Sequence, residues 1–239
     1  PQTVERLGIV YTPIEVVDFI NNSVADLLEK AFGRSLSDEN VHVLDPFTGT
    51  GTFITRMIQS GLINRDALPR KYRQELHANE IVLLAYYIAS VNIENAYHAT
   101  VGEKTQYVPF NGICLTDTFQ LGENADENAL YTPALKQNSE RVQAQQKTPI
   151  QVIIGNPPYS VGQKSANDNA QNQHYAKLER RIASTYALAS SATLKNSLYD
   201  SYIKAFRWAS DRLSKERGGI IAFVSNAGWL GGFLTAFIV

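Results

Sequence analysis

Hydrophobic residues form short continuous runs and longer amphipathic segments, and the two kinds alternate along the chain. Continuous apolar runs bounded by turn residues are typical of strands that are buried on both faces of a sheet. We predict strands in VHVLD, ELHANE, GICLTD, QVIIG and IIAFV, which end at Asp45, Glu80, Asp117, Gly155 and Val224, and the apolar run is continuous in the last two. Because helical segments separate these runs, the sequence predicts an α/β fold with a mostly parallel, doubly wound sheet.

The helix signals are clearest near the start of the chain. Thr12 is expected to cap a helix in which Pro13 takes the first position and Glu15 completes a capping box. Apolar residues then share one helical face as far as Gly33, which is expected to end the helix. The same spacing predicts further helices at 53–62, 81–92 and 198–219.

Two stretches are too polar to predict a packed element. Residues 122–147 show little apolar periodicity and are interpreted as an inserted loop, and a second polar stretch covers 163–173. The uncharged run 218–239 is long enough to span a bilayer. Since Ser225 and Asn226 interrupt that run, we interpret it as a buried strand followed by a loop.

Charge is distributed unevenly around a net value of −1. Residues 1–159 hold 12 Lys and Arg against 18 Asp and Glu, whereas residues 160–239 hold 10 against 5. The basic C-terminal part suits a polyanionic partner, or it is a solvated helix face. The single cysteine, Cys114, excludes an intramolecular disulfide and a cysteine-rich zinc site, and it fits a reducing, cytoplasmic setting.

Polar side chains follow four of the predicted strands: Asp45, Glu80, Asp117 and Asn156. In open α/β sheets, ligands bind beyond the carboxyl ends of the strands. Four such side chains at one edge of the sheet therefore indicate a binding site.

The turn after the first strand, DPFTGTGTF, defines one end of that site. Gly49 and Gly51 allow a tight turn and a close approach of the backbone to a ligand. The third glycine of a dinucleotide fingerprint is missing, which argues against a nicotinamide or flavin cofactor. Asp45 suits an ammonium group and Glu80 a ribose diol, while Asp117 suits an adenine amine or simply forms an Asx turn. Together these groups predict S-adenosylmethionine.

The order YTP, DPFTGTGTF, acidic strand end and NPPY resembles the γ-class amino-methyltransferases that methylate adenine N6 in DNA. It is most similar to the methylase portion of Type ISP and related Type IIG single-chain restriction–modification enzymes, and the resemblance runs from about Gly8 to Trp229. It implies that the cofactor is bound by Tyr11, Thr12, Pro13, Asp45, Pro46, Gly49, Gly51, Phe53, Glu80 and Asp117. Phe47 is expected in the core.

The resemblance also implies how the chain is divided. Residues 1–239 are expected to form a partial methyltransferase domain with an N-terminal motif helix in 1–35, a cofactor-binding half in 41–120 and an acceptor-base half in 150–239. The fold is expected to stop after its fifth strand, without a target-recognition domain. Further domains of the same polypeptide, including any nuclease or helicase, and double-stranded DNA are the implied partners.

The NPPY turn supplies the expected catalytic residues, Asn156, Pro157, Pro158 and Tyr159. Oxygen atoms of the Asn156 side chain and the Pro157 backbone are placed to accept the two hydrogens of an exocyclic amine. The prolines fix the backbone, and Tyr159 offers a ring on which a flipped adenine stacks. A base inside a duplex does not reach such a pocket, so base flipping is implied.

Three alternatives share parts of this interpretation. Glutamine methyltransferases that act on release factors also use Asn-Pro-Pro-Tyr, because a carboxamide is likewise a planar NH₂ group. An RNA adenine is a further possible acceptor. The third alternative belongs to a different functional class: it is a fragment that binds the cofactor but has no catalytic activity of its own.

Overall fold

The computed structural model describes residues 12–102, 106–123, 135–158, 174–190, 196–225 and 235–238. Six strands form one sheet in the order β3-β2-β1-β4-β5-β6. They are β1 (His42–Asp45), β2 (Leu76–Glu80), β3 (Ile113–Leu115), β4 (Ile150–Gly155), β5 (Ile220–Phe223) and β6 (Thr235–Ile238). The first five strands are parallel, and β6 pairs antiparallel with β5. The predicted α/β fold with a mostly parallel, doubly wound sheet is confirmed and is Rossmann-like, with one strand beyond the expected five.

Helices cover both faces of the sheet. They are α1 (Ile14–Phe32), α2 (Thr52–Gln59), α3 (Leu68–Arg70), α4 (Leu83–Val101), α5 (Lys136–Lys147), α6 (Ala176–Ile182) and α7 (Ser201–Arg212). Single π-helical turns continue α3 through Lys71–Glu75 and α6 through Ala183–Ala187, and 3₁₀ turns lie at Gln120–Gly122 and Asn196–Tyr199.

Alternate residues of the strands point into two separate hydrophobic cores, one on each face of the sheet. Val43 and Val152 point into the core formed with α1, α2 and α4. Leu44 and Ile153, the next residues along the same strands, point into the core formed with α6 and α7. Burial on both faces explains why these strands are largely apolar in the sequence.

Helix α1 begins one residue later than predicted. Its N-cap is Pro13, and no side chain caps the helix, so the predicted Thr12 cap and capping box are wrong. The predicted end is confirmed: Gly33 has a φ of 61°, and its N–H donates to the Glu29 carbonyl. Glycine adopts this left-handed conformation without the strain that a Cβ would cause.

The interpretation of 122–147 as a loop is wrong for its second half, which forms α5. This helix buries little apolar surface and is held by polar contacts to the edge strand β3. The Asn138 side chain accepts from the Leu115 N–H at 2.8 Å and donates to the Leu115 carbonyl at 2.9 Å. Such contacts leave no hydrophobic periodicity in the sequence.

Helix α2 agrees with its prediction within a few residues, whereas α4 extends to Val101 instead of 92 and α7 ends at Arg212 instead of 219. Helices α3 and α6 are not predicted by the sequence pattern. The second polar stretch, 163–173, lies outside the described residues. Across the part of the chain that the structure describes, no helix is long and apolar enough to cross a membrane.

Candidate active site

The predicted site residues on the three central strands lie at the same edge of the sheet. Asp45 ends β1, Glu80 ends β2, and Asn156 follows β4 directly. Strand β1 lies between β2 and β4, and the chain reverses its direction of progress across the sheet at this point. Such a switch point is where open parallel sheets form their ligand crevice.

Asp45 is fully buried, yet only half of its carboxyl group has a partner. Oδ1 accepts from the Phe47 N–H at 3.1 Å, whereas Oδ2 is buried without a hydrogen-bond partner among the described residues. Burial, reinforced by the nearby charge of Glu80, raises the pKa of Asp45 to about 8. A carboxyl group in this state would be stabilised as a carboxylate by an ammonium group placed against Oδ2.

The turn between β1 and α2 is built by two glycines with positive φ angles, 55° at Gly49 and 85° at Gly51. Gly51 also lies against α4, where an added Cβ would meet Ile93 at 3.2 Å. The Thr48 hydroxyl donates to the Asp45 carbonyl at 2.9 Å and closes the turn. The backbone is thereby bent tightly beside the buried carboxyl of Asp45.

Glu80 joins this turn to the end of β2. Its Oε2 accepts from the Gly49 N–H at 2.8 Å, and its Oε1 accepts from the Val82 N–H at 2.7 Å. Burial raises the pKa of Glu80 despite these two hydrogen bonds. Since each carboxylate oxygen has a further lone pair, Glu80 retains the capacity to accept from a pair of hydroxyl groups.

Asp117 is placed in an Asx turn. Its Oδ1 accepts from the Phe119 N–H at 2.9 Å, and its Oδ2 accepts from the Tyr175 hydroxyl at 2.8 Å. Burial and the Asp117 carboxylate raise the pKa of Tyr175 far above its usual range. Both oxygens of Asp117 therefore have protein partners, and its contact with an adenine amine stays a prediction.

Thr118 holds the Asp117 turn against the glycine turn, a contact that the sequence did not predict. Its hydroxyl donates to the Pro46 carbonyl at 2.7 Å and accepts from the Asn79 side chain at 3.2 Å. Asn79 is buried and precedes Glu80 on β2. An isolated threonine after a strand has no sequence signature, so only the structure shows this connection.

Asn156 pairs with the start of α1 and leaves its carbonyl oxygen unpaired. Its Nδ2 donates to the Thr12 hydroxyl at 3.2 Å, while Oδ1 is buried without a partner in the described part of the chain. Pro157 is buried and Pro158 is exposed. Asn156 therefore presents a buried, unused acceptor at the carboxyl end of β4.

The remaining aromatic residues named in the sequence analysis pack in or against the hydrophobic cores or lie outside the described residues. Phe53 is 4% exposed and belongs to the core around α2, and its contact with a cofactor stays a prediction. Phe47 is half-buried and packs against the second core, where its ring contacts Phe119 and Phe223. Tyr11 and Tyr159 lie outside the described residues.

Residues 33–219 match the UPF0020 family, described as an RMKL-like methyltransferase domain. Because this match covers most of the chain, the protein belongs to that family of methyltransferase domains. Comparison with curated protein sequences gives no match.

Solved structures extend this result to restriction–modification enzymes. The ATP-dependent Type ISP enzyme LlaBIII bound to DNA is 50% identical, with a TM-score of 0.85 over 97% of this chain and 16% of LlaBIII. A nuclease-deletion mutant of the Type ISP enzyme LlaGI with a DNA substrate mimic is 50% identical, with a TM-score of 0.81 over 91% of this chain and 18% of LlaGI. The DrdV–DNA complex is 45% identical, with a TM-score of 0.83 over 95% of this chain and 21% of DrdV.

The likeness to the methylase portion of Type ISP enzymes, expected from the motifs, is thus confirmed. The chain spans only 16% to 21% of the length of these three chains.

Proposed function

We propose that this domain transfers a methyl group from S-adenosylmethionine to the exocyclic N6 of an adenine flipped out of duplex DNA. It would act as the modification part of a restriction–modification enzyme. The observation that carries the proposal is a pair of buried oxygens, Asn156 Oδ1 and Asp45 Oδ2, which have no hydrogen-bond partner among the described residues and lie at the carboxyl ends of the adjacent strands β4 and β1.

The residues at the ends of β1 and β2 fit S-adenosylmethionine. Asp45 Oδ2 would accept from the ammonium of the methionine moiety, and the Glu80 carboxylate would accept from the ribose hydroxyls. Pro13, Gly49 and Gly51 would border the same ligand. When bound, S-adenosylmethionine supplies an electrophilic methyl group.

The turn after β4 fits a planar amine. The N6 lone pair of adenine is delocalised into the ring, so the amine is a weak nucleophile. Asn156 Oδ1 and the Pro157 carbonyl would accept its two hydrogens and favour electron density on the nitrogen. The proline rings fix φ and keep this backbone in place. Much of the rate would then come from positioning. As the amine bonds to the methyl group the methyl–sulfur bond would break, and the extra proton on the nitrogen would pass to water afterwards, so no Asp or Glu is required as a general base.

Duplex DNA is proposed as the partner because the three relatives at 45–50% identity are described as bound to DNA or to a DNA substrate mimic. An amine inside the duplex cannot reach a buried acceptor such as Asn156 Oδ1, so the target base must leave the stack. Tyr159 is proposed to stack on the flipped base, an interaction worth about 1–3 kcal/mol in single-strand binders.

The experiment uses the longest native polypeptide that contains this domain. It receives labelled S-adenosylmethionine together with mixed-sequence duplex DNA, and in a separate reaction together with release factor. The proposal predicts label in N6-methyladenine from the DNA. Label in a release-factor glutamine, or in methylcytosine, would overturn the acceptor while the methyltransferase class would stand.

A further inference from the structure

We infer that Thr12 is a positioning residue for methyl transfer, whose hydroxyl holds the Asn156 amide with its carbonyl oxygen free for the acceptor amine. This inference rests on the proposed function, because it assumes that Asn156 Oδ1 accepts from the reacting amine. It gives Thr12 a role that differs from the cofactor contact implied by the sequence motif.

The contact joins two rigid points that lie 144 residues apart. Thr12 is 9% exposed and immediately precedes Pro13, whose carbonyl accepts from the Val16 and Val17 N–H groups, both at 3.1 Å. Asn156 directly follows Gly155, whose carbonyl accepts from the Val224 N–H at 2.9 Å. Since a helix start and a strand end fix the two backbones, the 3.2 Å hydrogen bond fixes the side chains between them.

The Thr12 hydroxyl is available for this role because α1 does not use it as a cap. The N-cap position belongs to Pro13, and no side chain accepts from the first N–H groups of the helix. The hydroxyl instead accepts from Asn156 Nδ2. In the sequence, a threonine before a helix-starting proline predicts a helix cap. In the structure, the hydroxyl of this threonine instead contacts Asn156 in the turn after β4.

The chemistry of an amide explains why this partner matters. An asparagine side chain has a donor end and an acceptor end, and an acceptor amine with two hydrogens is recognised only by the acceptor end. In that orientation the part-buried NH₂ group needs an acceptor of its own, and the Thr12 hydroxyl supplies it. Without the hydroxyl, the productive orientation leaves a part-buried donor without this partner, which is costly.

The test compares three variants of the native polypeptide in single-turnover methylation of duplex DNA at saturating S-adenosylmethionine. Thr12→Val keeps the shape but removes the acceptor, and Thr12→Ser keeps the hydroxyl. Thr100→Val is the control, because the Thr100 hydroxyl donates only within α4, to the Ala96 carbonyl at 2.8 Å. S-adenosylmethionine dissociation constants are measured for all three by equilibrium dialysis.

Thr12→Val is expected to lower the single-turnover rate by about ten- to a hundredfold, with the dissociation constant for S-adenosylmethionine changed by less than about threefold. Thr12→Ser should recover the rate to within about threefold, and Thr100→Val should match the wild type.

A Thr12→Val enzyme that binds S-adenosylmethionine weakly but reacts at the wild-type rate when saturated would overturn the inference, because it would assign Thr12 to the cofactor. Equal loss in Thr12→Val and Thr12→Ser would overturn it as well, since the hydroxyl would then not be the active feature. Failure of the wild type to produce N6-methyladenine would instead reject the proposed acceptor. In that case the same variants test Thr12 on whichever amine is methylated.

Discussion

Gly155 lies so close to Asp45 that a Cβ at position 155 would come within 2.8 Å of Asp45 Oδ1. Gly155 ends β4 and Asp45 ends the neighbouring strand β1. The backbone φ of Gly155 is 150°, a value that residues with a side chain rarely adopt. The absence of a side chain at 155 therefore makes room for the buried carboxyl, and Gly155 shapes the site without carrying chemistry itself.

Gly155→Ala should weaken binding of S-adenosylmethionine by about ten- to a hundredfold, since the added methyl group must displace the Asp45 carboxylate from the ammonium. Equilibrium dialysis with labelled S-adenosylmethionine measures the change. Gly122→Ala serves as the control, because its Cβ would meet Trp208 at an ordinary contact distance of 3.5 Å. Unchanged affinity in Gly155→Ala would contradict the role given to Asp45.

The raised pKa of Asp45 predicts how stability depends on pH. Its pKa is about 8 in the fold against 3.8 for an ordinary aspartate, so between these values the folded chain binds a proton that the unfolded chain has released. The free energy of unfolding without ligand should therefore fall as pH rises through this window, by up to about 1.4 kcal/mol per pH unit from this group.

Asp45→Asn should remove this contribution, so that the slope of the unfolding free energy against pH becomes less negative than in the wild type, which urea unfolding between about pH 5 and pH 8 would measure. Asp18→Asn is the matched control, because a hydrogen bond from Arg56 lowers the pKa of Asp18 and places its titration below this range. The same slope in wild type and Asp45→Asn would refute the buried, proton-binding state of Asp45.

The positions of the strand ends were predictable because local rules determine them. Runs of buried residues such as Val152–Ile154 identify the parallel strands, and the polar residue that ends or follows each run lies at the sheet edge where ligands bind. Asp45, Glu80 and Asn156 were therefore assigned to one edge from the sequence alone, and the structure places them there.

The partners of these residues were not predictable in the same way. The hydrogen bond from Asn156 to Thr12 joins residues 144 positions apart, and that from Thr118 to Pro46 joins residues 72 apart. Spacing along the chain carries no information about such contacts. The polar helix α5 was missed for a related reason, because side chains such as Asn138 hold it in place of an apolar stripe.

A buried ion pair lies at the other end of the strands, just before β2 begins. Lys71 is fully buried, and its Nζ lies 3.1 Å from Glu75 Oε2, to which Arg70 also donates. Burial lowers the pKa of Lys71 to about 8 although Glu75 favours its charge. The carboxylate of Glu75 thus compensates the charge of a buried lysine, whose Nζ also donates to the Asp38 and Val41 carbonyls.

Glu75→Ala should lower the free energy of unfolding by about 3–5 kcal/mol, because removing one partner leaves an uncompensated buried charge. Glu39→Ala, at a nearby exposed position, should change it by no more than about 0.5 kcal/mol. Urea unfolding measures both variants. A loss in Glu75→Ala no larger than that of the control would show that the pair contributes nothing to stability.

The most direct test of the proposed activity is nucleoside analysis of duplex DNA after reaction with S-adenosylmethionine and either the wild-type polypeptide or its Asn156→Ala variant. We predict N6-methyladenine with the wild type and none with Asn156→Ala, although the variant binds S-adenosylmethionine with nearly unchanged affinity. A methylated base other than adenine, or an Asn156→Ala enzyme that retains the wild-type rate, would contradict the assignment of Asn156 to the acceptor adenine.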